Sequence, residues 1–120
     1  MSNDNGSTWV NSGYFSGINY SAYNSASLSN ANSTSAWLLA NNVINGADPS
    51  ASGYAYFTGV NLGAQPTCVG HSSWVDNGSS TLNNGTFGGA GGNTGMDALK
   101  VFFSSGNVAN GIFNLYALTN

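Results

Sequence analysis

The chain of 120 residues contains no glutamate and no arginine, and its single cation is Lys100. Four aspartates, Asp4, Asp48, Asp76 and Asp97, leave a net charge of −3. One lysine cannot supply the counterion release on which phosphate-backbone binding depends, so nucleic acid is not an expected partner. Attachment to an anionic membrane surface fails for the same reason. No apolar stretch approaches the length of a spanning helix, and the start MSNDNGSTWV has neither the basic opening nor the apolar core of a signal peptide. No membrane insertion is expected.

Reactive side chains are equally scarce. Cys68 is the one cysteine, which forbids an intrachain disulfide and reads as a small buried apolar residue. His71 is the one histidine, and three residues along a strand from Cys68 its side chain points to the opposite face. Neither pairs locally as nucleophile and base. One His, one Cys and scattered Asp match no metal-ligand spacing, and Gly88-Gly89-Ala90-Gly91-Gly92 lacks the Lys-Ser/Thr ending of a phosphate loop. Asp48, next to Pro49, is placed to bond its own turn rather than to form half of a carboxylate pair. No enzyme activity, metal or cofactor is expected.

Asn, Ser and Gly make up close to half of the residues, while 41% are hydrophobic and 12% aromatic. The apolar content argues against disorder, so the surface must be a neutral one of amides and hydroxyls. Helix formers are few, and no apolar stripe of helical period runs for three turns. Strand signals recur instead, over 8–10, 13–20, 36–44, 53–62, 67–76, 99–103 and 112–118. Within the fourth of these, Tyr54, Tyr56 and Thr58 share one face. Turns are expected at Asn45-Gly46 with Asp48-Pro49, at Asn77-Gly78 and at Asn84-Gly85. Residues 21–35 read as a long loop or an edge strand, and 85–95 as the most flexible stretch. The expected architecture is one all-β domain over 1–120, an antiparallel β-sandwich of jelly-roll type, with 1–7 as a flexible N-terminal arm.

The C-terminal region is the most distinctive. Leu99-Lys100-Val101-Phe102-Phe103 is followed by the turn Ser104-Ser105-Gly106-Asn107 and then by Gly111-Ile112-Phe113-Asn114-Leu115-Tyr116-Ala117-Leu118. This order of strand, turn, glycine, strand and Tyr-containing apolar ending resembles the C-terminal ends of tailed-bacteriophage virion surface proteins, among them capsid decoration (cement) proteins and the tips of tail fibres and tailspikes. Ala117 stands where a glycine usually follows the tyrosine, and Ile112 where a threonine is usual. The resemblance covers about a fifth of the chain and implies a β-sandwich on a phage particle, commonly a homotrimer.

Both expected C-terminal strands are apolar on two faces, so one face needs a cover that a symmetric oligomer supplies. Phe102, Tyr116 and Leu118 are the candidate interface residues. A complete fibre or spike needs an attachment region and a long shaft, for which this length leaves no room. The leading expectation is a trimeric decoration protein on the outer capsid surface, bound to itself and to the major capsid protein. The alternative is a receptor-binding tip that takes host surface glycan. Sugar sites pair an aromatic face with amides or carboxylates, which makes Trp74, Asp76 and Asn77 the candidate glycan contacts, with Trp9 and Asn11 a second such grouping. An ice-binding face is disfavoured, because the threonines show no common register.

Overall fold

A computed structural model describes residues 1–44, 51–60, 63–78, 80–91, 95–104 and 110–117. Within them the chain is all-β: β1 (Tyr14–Ala22), β2 (Ser29–Ser33), β3 (Ala51–Thr58), β4 (Thr67–Val75) and β5 (Leu82–Gly91). They form one antiparallel sheet of order β2-β1-β5-β4-β3. A β1–β2 hairpin and a β3–β4–β5 meander are joined by the pairing of β1 with β5, which runs from Tyr14 opposite Gly91 to Ala22 opposite Asn83.

Alternation sets the two faces. Tyr14, Ser16 and Ile18 of β1, Cys68, Ser72 and Trp74 of β4, and Asn83 and Phe87 of β5 point inward and are buried. Their neighbours Phe15, Asn19, Val69 and Thr86 point outward. The inner face is covered by a segment without strand structure rather than by a second sheet. β2 and β3 lie at opposite edges of the sheet, so the chain leaving β2 must cross four strand spacings, roughly 19 Å. Residues 34–44 cover the inner face, and Trp37, Leu38, Leu39, Ala40 and Val43 pack on Ile18, Cys68, Trp74 and Phe87.

Two inner-face serines make that irregular cover tolerable. Ser16 Oγ accepts the Leu38 amide at 2.7 Å, and Ser72 Oγ donates to the Leu39 carbonyl. Backbone groups that would otherwise be buried unpaired are thus bonded to the sheet. Aromatic edges complete the packing: Tyr14 meets Trp37 at 5.7 Å and 85°, and Tyr20 lies 5.2 Å from Trp74.

Several expectations from the sequence are corrected here. The second layer is not a strand layer among the described residues, although 36–44 carries enough apolar side chains to look like one. Residues 1–7 are docked rather than a flexible arm. Met1 is buried with Tyr14 and Met96, Ser2 bridges to Ala98, and the Asp97 carboxylate accepts the Asn5 amide at 3.0 Å. Residues 84–91, expected as a turn and then a flexible stretch, form β5, the middle strand of the sheet. Residues 99–103 and 112–117 form no strand within the chain. The Asn45-Gly46/Asp48-Pro49 turn, Ser105-Gly106-Asn107 and Leu118 lie outside the described residues.

The glycine content of β5 has a steric reason. A Cβ on Gly85 would meet Tyr20 Cβ at 2.9 Å and Asn19 O at 3.0 Å, and one on Gly91 would meet the Tyr14 ring at 2.9 Å. Close backbone approach, which side chains would prevent, is a known use of glycine in strands.

Candidate functional site

The grouping Trp74, Asp76 and Asn77 does not form a sugar site. Trp74 is 0% exposed, because strand parity places it with Cys68, Gly70 and Ser72 on the inner face. Asp76 is occupied by the turn after β4. Its carboxylate accepts the Gly78 amide at 2.7 Å and the Asn42 side-chain amide at 3.1 Å, and its carbonyl accepts the Ser80 amide. The Asn77 backbone amide donates to Asn42 at 2.8 Å, and its side chain is exposed. Asp76 and Asn77 thus tie the chain after β4 to Asn42 of the cover segment. Trp9 faces the Lys100 ammonium at 5.8 Å from its ring.

The outer face of the sheet carries what that grouping lacks. Across β3 and β4, Tyr54 pairs with His71 and Tyr56 with Val69. Tyr54 and Tyr56 are 59% and 60% exposed, with ring centroids 5.6 Å apart, and Tyr54 stacks with His71 at 6.2 Å and 24°. The register extends the Tyr54–His71 row through Thr86, Asn19 and Asn30, one polar side chain from each remaining strand. Cross-strand hydrogen bonds join Ser73 to Asn84 at 2.5 Å and Thr58 to Thr67 at 2.6 Å. The result is a broad face of hydroxyls and amides with an aromatic patch at the β3 edge and no charged side chain in the rows. Tyr54 and Tyr56 shared a face in the sequence pattern. Which face was outward required the register with β4.

The second surface is C-terminal. Ile112, Leu115 and Tyr116 are 89%, 83% and 82% exposed, and Phe113 is also exposed. Phe102 is exposed too, with the Lys100 ammonium 5.9 Å from its ring. Of the three candidate interface residues, Phe102 and Tyr116 therefore lie open on the surface of the single chain, and Leu118 is among the residues not described.

Among the described residues, chemically reactive groups do not converge on either surface. Cys68 is buried, and burial pushes its thiol up to about 11, which keeps it protonated and unreactive. No cluster of three metal-ligating side chains occurs among the described residues. A shallow groove of about 320 Å³ between β1 and β2 is lined by Phe15, Gly17, Asn32 and Thr34 among others, and brings together no acid or base. Such an arrangement can recognise a surface or a polymer by contact area and hydrogen bonding.

No protein-family model, curated protein or solved structure matches this chain.

Proposed function

We propose that this protein is a virion structural protein, a homotrimeric decoration protein on the outer surface of a tailed-phage capsid that reinforces contacts between major capsid subunits. The observation that carries this reading is the placement of residues 110–117. The segment holds Ile112, Phe113, Leu115 and Tyr116, forms no strand within the chain and leaves all four exposed. Contiguous exposed apolar surface of this kind marks an interaction site. A chain with five charged residues also offers little repulsion between copies. Self-association at micromolar concentration, together with saturable binding to undecorated capsids, tests the proposal. A monomer that ignores those capsids contradicts it.

A second reading rests on a different observation, the Tyr54–Tyr56–His71 patch beside its rows of amides and hydroxyls. Aromatic faces next to neutral hydrogen-bonding groups suit uncharged sugar, which fits a fibre or spike tip that takes host surface polysaccharide. Binding to neutral glycans that is lost in Tyr54→Ala and Tyr56→Ala supports it, and a glycan array without hits counts against it.

A further inference from the structure

We infer that the outer edge of β3 is the acceptor for the C-terminal segment of a second copy of this chain, which adds as a sixth strand. The inference rests on the self-association reading above and names its contact.

β3 ends the sheet, so one side of its backbone has no strand partner among the described residues. Natural edge strands are normally kept short, charged, bulged or broken by proline, since an unpaired edge templates pairing with other chains. β3 has none of these protections. Its eight residues ASGYAYFT contain no charge and no proline, and most of them are exposed. The opposite edge differs: β2 is five residues of Ser, Asn and Ala, too short and polar to offer much.

The same chain holds an unused strand of matching length. Residues 110–117 are eight residues that span roughly 26 Å when extended, as does β3. Their alternation fits the acceptor on both sides. Phe113, Leu115 and Ala117 would extend the inner face beside Ala55 and Phe57, which pack on the core and are only partly buried. Ile112, Asn114 and Tyr116 would extend the outer face beside Tyr54 and Tyr56, where aromatic cross-strand pairs stabilise sheets. Neither partner carries charge, so no repulsion opposes the contact. Each copy offers one donor and one acceptor, a head-to-tail contact of the kind that closes into rings.

Two variants of the full chain separate donor from acceptor. Asn114→Pro removes a ladder hydrogen bond from an exposed segment, and Ser52→Lys with Tyr56→Lys places on the edge the charges it lacks. Each variant alone should sediment as a folded monomer, its β-sheet circular dichroism reduced only by the strand that the oligomer adds. Mixed, they should form a one-to-one dimer, because one intact donor then meets one intact acceptor. Hydrogen exchange gives an independent readout: the alternate amides of 51–58 that point away from β4 should exchange about tenfold or more faster in Asn114→Pro than in the parent oligomer. An oligomeric parent whose variants stay oligomeric, or whose mixture stays monomeric, overturns the strand addition and leaves self-association standing. A monomeric parent overturns both.

Discussion

At the scale of single residues, the buried face is set by parity, and the serines on it, Ser16 and Ser72, bond the cover segment, while the buried indole N–H groups of Trp37 and Trp74 make no hydrogen bond among the described residues. Trp74 fills the centre of the core against Tyr20, and its truncation removes the largest buried side chain. Trp74→Ala should cost about 3–5 kcal/mol in denaturant unfolding, against little change for exposed Trp9→Ala. Cys68, six residues away along β4, belongs to the same core, with its thiol raised to about 11 by burial. A thiol reagent at pH 8 should therefore react with the native protein far more slowly than with the unfolded chain, as followed by absorbance. Asp4 shifts the other way. Its carboxyl is held down to about 2, first by the Ser2 hydroxyl and then by the Thr8 hydroxyl and amide. Because that value lies below the ordinary aspartate one of about 4, its stabilising effect is complete above about pH 4 and fades as the pH falls through 2. An NMR titration should place the Asp4 midpoint near 2, and Thr8→Ala should raise it.

At the scale of elements, β5 shows what a sequence pattern conceals. Gly85, Gly88, Gly89 and Gly91 read as a flexible stretch because glycine is a poor strand former in isolation. In the middle of the sheet Gly85, Gly89 and Gly91 let β1 approach closely, and only a register reveals it. The distinction is testable at two positions. A Cβ on Gly70 would meet the Tyr54 carbonyl and come within 2.5 Å of the Phe87 ring, whereas one on Gly88 would meet only Cys68 O at 3.5 Å. Gly70→Ala should destabilise by about 1–3 kcal/mol, and Gly88→Ala should be neutral or gain up to about 1 kcal/mol, both measured by chemical denaturation. β1, β3 and β4 were legible from alternation and turn residues to within a few positions. The cover segment was not, because Trp37-Leu38-Leu39-Ala40 is apolar for a topological reason: the connection between opposite edges has to pass over the core. The glycan grouping around Trp74 failed on parity, which counting from Cys68 would have shown. The Tyr54–Tyr56 face could be paired in the sequence but not oriented.

At the scale of the whole molecule, the chain has one covered face, one open face, an unprotected edge and an exposed apolar segment. Its near absence of charge removes the usual barrier to association. Among the described residues the strands and the cover lie before residue 92, and Ile112, Phe113, Leu115 and Tyr116 stay exposed. The measurement that bears most directly on this is sedimentation velocity of the full chain at micromolar concentration, in parallel with Leu115→Asp. The parent should run at the mass of three chains and the variant at the mass of one, still folded by circular dichroism. A parent that runs as a single chain would contradict self-association through this segment.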